Sequence, residues 1–361
     1  MTKLIDICDI QYGYAFDSAC FTEDDSYLPL VRIRDVKRGF SETFYSGEYP
    51  EEYVIHKGDL IVGMDGEFNI ARWKSIDALL NQRVCKLKAK EGTNEEYLRF
   101  ALVKALKTIE DKTAFVTVKH LSAKELNKLE LDMPGIEEQN VRAESMAKLE
   151  KVISHRKEEL SALDNLIKAR FVELFECGDH EIVKASDVCD FITKGTTPPT
   201  GEITEEYENG KIPFLKVYNL SFTGEMLFDE NPQYILAETH NGKLARSKVY
   251  PNDVLMNIVG PPLGKFTLVT DEFEEWNINQ AIAIFRAKER ILPRFLLHAL
   301  MQPKVLEPFI GQAVGIRQQN LSLEQCRNLQ FPLPSLEEQK SFVEFAEQLD
   351  KSKVTVQKAF E

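Results

Sequence analysis

Polar loops with the same kinds of side chain occur at equivalent places in the two halves of this 361-residue chain. Arginine, lysine, asparagine and glutamine carry the donors and acceptors that match base edges in the major groove of DNA. Glycines in the same loops let the backbone approach a phosphate closely. The candidate DNA-binding residues selected from these loops are Tyr12, Tyr14, Asn69, Arg72, Lys119, His120, Lys194, Thr196, Thr197, Lys265, Arg317, Gln318 and Gln319. The chemistry that these side chains favour is non-covalent recognition of DNA.

Catalytic motifs are largely absent from the sequence. It contains no G-x-x-x-x-G-K-[ST] loop, no G-x-G-x-x-G after a strand and no H-E-x-x-H pair, and the six histidines are scattered singly. One tetrapeptide, Asn231-Pro232-Gln233-Tyr234, resembles the Asn-Pro-Pro-Tyr loop with which adenine methyltransferases stack a flipped base. Its second proline is missing and no glycine-rich strand–turn precedes it, so we interpret it as a turn. The sequence therefore predicts no catalytic residue, no cofactor and no metal.

Charge and composition limit the class of protein. The formal net charge is −13, from 45 Lys and Arg against 58 Asp and Glu, which argues against a simple basic nucleic-acid binder. Contact with DNA would need local basic clusters and a partner that supplies further phosphate contacts. No apolar run is long enough to span a membrane, and the N-terminus does not resemble a signal peptide. The six cysteines lack zinc spacing and are predicted to be reduced core residues of a cytoplasmic protein.

An internal repeat organises the chain. Seven sequence blocks recur in the same order in both halves. The matched blocks are residues 5–9 with 186–190, 29–33 with 213–217, 58–61 with 252–255, 81–84 with 279–282, 97–102 with 295–300, 121–126 with 321–326, and 134–139 with 334–339. Conserved order over this many blocks indicates a duplicated domain.

Each copy has the pattern of a compact mixed α+β domain. The first copy is predicted to form strands at 31–36, 59–63 and 83–87, a helix at 95–107 and a short helix from Ser122. The second copy is predicted to form strands at 214–217, 254–259 and 281–285, a helix at 293–301 and a short helix from Ser322. The predicted domains are residues 1–134 and 178–334, each followed by a long helix, at 135–177 and at 335–361.

Heptad spacing predicts that the helix between the two copies is a coiled-coil helix, about 60 Å long. Arginines interrupt one of its two apolar seams and would weaken a symmetric homodimer, so we expect a partner unlike itself. The final helix, lying antiparallel, is that partner and would give the molecule a pseudo-twofold arrangement. The residues assigned to this packing and to subunit docking are Met146, Leu149, Ile153, Leu160, Leu163, Ile167, Leu174, Phe342 and Leu349.

Several of these motifs resemble one known family, the specificity subunits of type I restriction–modification systems. The resemblance rests on the two Pro-x-x-Glu-Glu-Gln helix starts, Gly58-Asp59-Leu60-Ile61, Asn279-Gln280, and Gly315-x-x-Gln318 before Leu321-Ser322. It covers nearly the whole chain. The implied fold is two target-recognition domains separated by long helices that pair as an antiparallel coiled coil.

The resemblance also implies a function, that of a non-catalytic DNA reader. Each recognition domain would bind one half of a bipartite, asymmetric double-stranded target, and the helices would fix the gap between the halves. The helices would also dock two methyltransferase (modification) subunits, and a restriction motor subunit would join the complex.

Two alternatives remain open from the sequence. A stand-alone DNA methyltransferase or nuclease would require a cofactor or metal site that the motifs do not show. A coiled-coil scaffold that binds only proteins would show no sequence-dependent retention of DNA. The sequence also departs from the family pattern where Gly58 is replaced by Asn252 in the second copy, and where the last helix is shorter than the first.

Overall fold

The computed structural model describes residues 1–112, 120–208, 210–260, 262–310 and 320–358. The chain divides into two compact units, Met1–Ser154 (unit 1) and His155–Glu361 (unit 2). In the described part of the chain, no helix combines the length and the apolar character that crossing a bilayer requires.

Unit 1 consists of short strands in two main sheets and of helices that cover them. Its strands are β1 (Thr2–Lys3), β2 (Cys8–Tyr12), β3 (Phe21–Thr22), β4 (Leu28–Val31), β5 (Phe44–Tyr45), β6 (Val54–Ile55), β7 (Leu60–Gly63), β8 (Ile70–Arg72), β9 (Ala78–Leu80), β10 (Val84–Ala89) and β11 (Glu130–Leu131). Its helices are α1 (Leu4–Ile7), α2 (Ile33–Arg38), α3 (Glu95–Lys112), α4 (Ala123–Lys128) and the first part of α5 (Ile136–Phe171). One sheet has the order β2-β10-β7-β8 and the other β3-β5-β4-β9-β6, while β1 pairs with β11.

Unit 2 repeats this arrangement. Its strands are β12 (Glu181–Lys184), β13 (Cys189–Lys194), β14 (Ile203–Thr204), β15 (Lys211–Leu215), β16 (Tyr234–Leu236), β17 (Lys248–Val249), β18 (Val254–Asn257), β19 (Phe266–Leu268), β20 (Trp276–Ile278), β21 (Ile282–Ala287) and β22 (Gln330–Leu333). Its further helices are α6 (Ala185–Val188), α7 (Ala237–Asn241), α8 (Pro293–Leu300), α9 (Pro303–Ile310), α10 (Leu323–Arg327) and α11 (Leu336–Lys358). The sheets have the orders β13-β21-β18-β19 and β14-β16-β15-β20-β17, and β12 pairs with β22.

The two units match strand for strand, which confirms the predicted repeat of mixed α/β domains. In each unit one strand pair runs parallel, β4 with β9 and β15 with β20, whereas the other paired strands run antiparallel. The first short helix of each unit leads into an edge strand of the first sheet, and α4 and α10 begin at the serine caps Ser122 and Ser322. Unit 2 differs by having α7 and by dividing the helix that corresponds to α3 into α8 and α9.

One predicted strand was wrong. The alternation of apolar and charged residues at 31–36 suggested a strand, but β4 ends at Val31 and the helix α2 follows. The Asp35 carboxylate accepts a hydrogen bond from the Arg32 backbone N–H at 2.9 Å and so caps this helix. The helix ends at Gly39, whose φ of +79° lies in the left-handed region that glycine adopts readily.

A glycine at the same place in each unit allows two backbone segments to touch. A Cβ on Gly13 would lie 2.0 Å from the carbonyl oxygen of Asn81, and one on Gly195 would lie 2.1 Å from that of Asn279. Neither approach is possible for a residue with a side chain. These glycines therefore fix the loop after β2 or β13 against the turn that follows β9 or β20.

The second half of α5 and the helix α11 share the core of unit 2. Helix α5 continues as a π-helical turn at Val172–Glu176, and Ile167, Phe171 and Phe175 are all buried. The ring of Phe342 on α11 lies 5.4 Å from that of Phe171, and Lys353 forms an ion pair with Asp164. Lys353 lies later on α11 than Phe342, whereas its partner Asp164 lies earlier on α5 than Phe171. The two helices therefore run antiparallel, as predicted.

The predicted seam residues of α5 lie in two different environments. Ile167 is buried, and Leu160, Leu163 and Leu174 are half-buried. On α11, Phe342 is buried and Leu349 packs against the same core. In contrast, the earlier seam residues are exposed to different extents: Met146 at 39%, Leu149 at 63% and Ile153 at 42%.

The six cysteines are all free. Cys8, Cys85, Cys189 and Cys326 are buried, and burial raises the pKa of the Cys8 thiol to about 11. Thiols with raised pKa values are poor nucleophiles and behave as small apolar residues. Cys177 is exposed and Cys20 is half-buried, so the predicted core role holds for four of the six.

Candidate nucleic-acid interface

The parallel strand pair of each unit ends in the same combination of polar residues. In unit 1, Val31 of β4 pairs with Leu80 of β9, so that Arg32 and Asn81 follow at one edge of the sheet. In unit 2, Leu215 pairs with Ile278, so that Lys216 and Asn279 follow at the corresponding edge. The carboxyl ends of parallel strands are a common place for ligand binding.

A glutamine, Gln82 or Gln280, follows the asparagine in each unit. The shared set is therefore one basic side chain beside an Asn-Gln pair. We call this edge the reading edge of each unit, defined by Arg32, Asn81 and Gln82 in unit 1 and by Lys216, Asn279 and Gln280 in unit 2.

In unit 1 the reading edge forms one side of a groove of about 670 Å³. The residues with polar side chains that line this groove are Ser18, Arg32, Arg34, Asp65, Glu67, Asn69, Asn81, Gln82 and Arg83. All of these residue types can bond to base edges, and arginine can do so with two parallel hydrogen bonds to guanine.

An acidic residue neutralises part of the positive charge of the groove. The Asp65 carboxylate lies 3.2 Å from Nε of Arg83 and also contacts Nδ1 of His120. Arg34 donates a hydrogen bond to Oγ1 of Thr43 at 3.3 Å. Arg32 is exposed, and no carboxylate in the described part of the chain forms an ion pair with its guanidinium group. Arg32 is therefore the basic side chain of this groove best placed to meet an anionic ligand.

The candidates in unit 1 divide between the groove and the interior. Asn69 lines the groove, and Tyr14 is 41% exposed, with its ring 5.1 Å from that of Tyr53. The Tyr12 hydroxyl donates to Oδ1 of Asn127 at 2.8 Å, which ties β2 to α4.

Arg72 holds the unit together. Its guanidinium group donates to the carbonyl of Gly58 at 2.7 Å and to Glu95 at 2.9 Å, and it also pairs with Glu96. These contacts use its donors inside the unit, so we do not include Arg72 in the proposed interface. His120 is exposed, and its partner is Asp65 at the groove.

Loops that lie against the reading edge of unit 2 carry the candidates there. Lys194 is exposed at the end of β13. The Thr196 hydroxyl accepts from Nε of Arg246 at 3.0 Å, and the Thr197 hydroxyl accepts from the Gln280 backbone N–H at 3.5 Å. The structure thus brings Thr197 to the reading edge.

Lys265 contacts the loop that follows β15. Its ammonium group lies 5.8 Å from the ring centroid of Phe222, a side chain that is 49% exposed. The backbone N–H of Lys265 donates to Oδ1 of Asn257 at 2.7 Å, which fixes the start of the β19 hairpin. A half-buried cation beside an exposed aromatic ring is suited to contact with phosphates and bases.

The other candidates lie outside the described residues. These are Lys119, Arg317, Gln318 and Gln319.

Sequence reasoning missed the basic residues of the reading edges. Arg32 and Arg34 were hidden because their segment was predicted to be a strand, and Lys216 was assigned to the end of a strand. The pairing of β4 with β9 and of β15 with β20 places these residues beside Asn-Gln, and that pairing is parallel and distant in sequence. The recurrence of Asn81-Gln82 as Asn279-Gln280 was the available signal.

The tetrapeptide at 231–234 has no feature of a catalytic loop. The backbone N–H of Asn231 bonds to the carbonyl of Phe228, which is a turn, and Tyr234 is buried in β16. A buried tyrosine is not available for stacking on a flipped base. Within the described residues, no cluster of His, Cys, Asp and Glu could hold a metal ion.

Comparison with known proteins relates this architecture to a family. The model of the type I restriction modification DNA specificity domain matches residues 1–164 and 178–359. The type I restriction enzyme EcoBI specificity subunit of Escherichia coli is 32% identical, over 95% of this chain and 77% of that protein. The MjaVIII specificity subunit of Methanocaldococcus jannaschii is 23% identical, over 91% of this chain and 80% of that protein.

A solved structure shows the same fold. The crystal structure of the S subunit of a type I restriction–modification system from M. genitalium superposes with a TM-score of 0.50 and 16% sequence identity. The match covers 99% of this chain and 90% of that one. Together with the match of the family model to nearly the whole sequence, these similarities show that the chain belongs to the type I restriction modification DNA specificity family.

Proposed function

We propose that the chain is the non-catalytic DNA reader of a type I restriction–modification complex, with one unit for each half of a bipartite, asymmetric target. The observation that carries this proposal is the pair of reading edges. The same backbone frame presents Arg32 with Asn81-Gln82 in unit 1 and Lys216 with Asn279-Gln280 in unit 2. Identical frames with different neighbouring loops are suited to reading two different sequences.

The neighbouring loops supply the difference between the half-sites. In unit 1 the groove adds Arg34, Asn69 and Arg83, whereas unit 2 adds Thr197 and Lys265. Base contacts of this kind discriminate by about 1–3 kcal/mol for each good pair, and phosphate contacts hold the protein in register. Two unlike sets of contacts give an asymmetric target.

The partners in this proposal are two methyltransferase subunits that dock on the long helices, and a restriction subunit that joins them. Two observations support docking. The chain has a net charge of −13, so phosphate contacts from other subunits would complete the binding of DNA. The first half of α5 also exposes Leu149 and Val152 at 63% and 56%. Helix α5 acts as the spacer that sets the gap between the half-sites.

Exchange of one unit tests the division of labour. Residues 1–135 are replaced with the equivalent part of a relative that has a different target, and methylated sites are mapped in cells that carry the complex. We expect one half of the target to change while the other half and the gap stay the same. A change in both halves would contradict the assignment of one unit to each half-site.

Single substitutions test the reading edges directly. Arg32→Ala is expected to weaken specific binding by about 1–3 kcal/mol and to relax one position in one half-site. Lys216→Ala is expected to act in the same way on the other half-site. Lys3→Ala is the control, because this exposed lysine lies on β1, a strand that pairs with β11 and belongs to neither reading edge. Equal affinities for all three variants would show that the reading edges do not touch DNA.

A further inference from the structure

Each long helix begins with a buried glutamine that bonds to its own unit. Gln139 is 3% exposed, and its Oε1 accepts from the backbone N–H of Asn94 at 2.9 Å while its Nε2 donates to the carbonyl of Pro134 at 2.7 Å. Asn94 is the residue immediately before α3. The glutamine thus joins the start of α5 to the start of α3.

Unit 2 contains the same joint. Gln339 is fully buried, and its Oε1 accepts from the backbone N–H of Leu292 at 2.9 Å. Its Nε2 donates to the carbonyls of Pro334 at 2.9 Å and Arg290 at 3.1 Å. Leu292 is the residue immediately before α8, so the start of α11 is joined to the start of α8.

A second contact lies further along each helix at an equivalent position. On α5, the Glu150 carboxylate accepts two hydrogen bonds from Arg99 of α3, at 2.9 and 2.6 Å. On α11, the Asp350 carboxylate pairs with Arg294 of α8. Glu150 and Asp350 stand at the same distance in sequence from Gln139 and Gln339.

Two contacts fix the orientation of a helix on its unit better than one contact does. The glutamine and the acidic residue of each helix are separated by about 16 Å along the axis, at 1.5 Å per residue. The first contact locates the helix, and the second prevents it from tilting or rotating about that point. The arginines differ, Arg99 in one unit and Arg294 in the other, yet both reach the same helix position.

We infer that Gln139 with Glu150, and Gln339 with Asp350, are positioning residues that set the angle between each recognition unit and its long helix. Through that angle they determine which gap between the two half-sites is accepted. This inference rests on the proposed function, because a gap exists only if the two units read separate half-sites. None of the four residues lies at a reading edge, so they act on the geometry of recognition and leave base contacts unchanged.

DNA geometry explains why the joints matter. One additional base pair displaces a half-site by about 3.4 Å along the duplex and rotates it by roughly 35°. A unit held rigidly on its helix cannot follow both changes. Without one joint, the helix is held by the other joint and by apolar contacts such as that of Phe342 with Phe171, which lack the directionality of hydrogen bonds. We therefore expect loss of a joint to widen the range of tolerated gaps.

Selection from a random DNA pool tests the inference without assuming a target sequence. The full chain, assembled with its methyltransferase subunits, is incubated with random-sequence duplexes, and bound DNA is sequenced. For the wild type we expect two half-sites at one gap length. For Gln139→Met and Gln339→Met we expect the same half-sites, with gaps one base pair longer or shorter bound within tenfold of the original.

Matched variants distinguish the loss of a joint from a general loss of stability. Gln348→Met makes the same chemical change at an exposed position of α11 and is expected to keep the wild-type gap. Glu150→Gln and Asp350→Asn remove the negative charge from the second contact and are expected to widen the gap range to a smaller extent. Asp350→Asn also removes the charge that pairs with Lys353, so Glu150→Gln is the cleaner variant. If the melting curve of a glutamine variant shows that it does not fold, the gap range of Glu150→Gln and Asp350→Asn still tests the inference.

Two results would overturn the inference. One is a single, unchanged gap in all four joint variants that fold. The other is loss of half-site selection in folded Glu150→Gln or Asp350→Asn, because these residues would then act on reading itself. A wild-type pool without paired half-sites would instead refute the proposed function, and so the two failures are distinguishable.

Discussion

The two units share a backbone frame but differ in how their polar groups are satisfied. Asp59 and Asp253 occupy the same turn, and each accepts a hydrogen bond from the backbone N–H three residues earlier. Asp59 is 27% exposed and meets Lys86 at 3.2 Å, whereas Asp253 is 2% exposed and makes two hydrogen bonds to Arg286 at 2.8 and 2.7 Å.

A similar difference occurs on the helix that follows the sheet. Phe100 of α3 corresponds to His298 of α8, which is buried against Phe342 with a ring separation of 5.4 Å. The comparison teaches that backbone contacts, such as those at Gly13 and Gly195, maintain the fold. Side-chain pairs have diverged around them.

The largest expected effect is a loss of stability when the glycine at the backbone contact shared by both units is replaced. Gly13→Ala and Gly195→Ala would each place a Cβ about 2 Å from a backbone carbonyl oxygen, which forces the two segments apart. We expect each to lower the free energy of unfolding by about 4 kcal/mol or more, measured by urea denaturation. Gly201→Ala is the control, because nothing lies within 4 Å of a Cβ there. Similar stabilities for all three variants would show that the close approach is not required.

The next prediction sharpens the difference between the two aspartates. Asp253→Ala leaves the guanidinium group of Arg286 without its carboxylate partner. We expect it to lower the free energy of unfolding by about 3 kcal/mol. Asp59→Ala removes a more exposed pair and one turn hydrogen bond, at a cost of about 1 kcal/mol. Denaturation of the two variants in parallel measures the difference. Equal losses would mean that the ion pair in unit 2 adds nothing to the shared turn.

A pH dependence follows from His298. Burial lowers its pKa to about 4, and Asp350, Arg294 and Lys353 are the charged groups near it. Nε2 has no hydrogen-bond partner among the described residues. Because the unfolded histidine titrates near 6.5, the unfolded state binds more protons as the pH falls between 6.5 and 4, and stability decreases.

The variant His298→Phe introduces the residue found in unit 1. Between pH 6.5 and 5.5 the wild type is expected to lose about 1 kcal/mol more than this variant, measured by denaturation at each pH. Parallel pH profiles for the two proteins would rule out His298 as the source of the loss.

The smallest effect concerns the starts of the long helices. Ser335 caps α11, with its hydroxyl 2.7 Å from the Glu338 carboxylate and accepting the Glu338 backbone N–H at 3.3 Å. Gly135 occupies the equivalent place before α5. Gly135→Ser is expected to stabilise unit 1 by about 0.3–0.5 kcal/mol, measured as a shift in the melting temperature. A decrease in stability would show that Glu138, which pairs with Arg142, is unavailable for a cap.

Repetition and periodicity made much of the fold predictable. The duplicated blocks indicated equivalent domains, and heptad spacing indicated α5 and its antiparallel partner. The candidate interface was harder to predict, because Arg32 and Lys216 lie at the same sheet edge as Asn-Gln only through parallel strand pairs formed by distant segments. Arg72 is of a residue type that commonly contacts DNA, but it forms ion pairs with Glu95 and Glu96. These ion pairs join residues more than twenty positions apart, so no local sequence pattern shows them. Gln139 and Gln339 were visible as a repeated motif, but the sequence did not show that both side chains are buried.

The first half of α5 has a consequence for work with the purified chain. Val141, Leu149 and Val152 are 65%, 63% and 56% exposed, and together they form an apolar strip on one helix. Water-exposed strips of this kind promote aggregation when nothing covers them. Expression of this polypeptide alone should therefore yield material whose sedimentation depends on concentration and added detergent, and co-production with a protein that covers the strip should abolish that dependence.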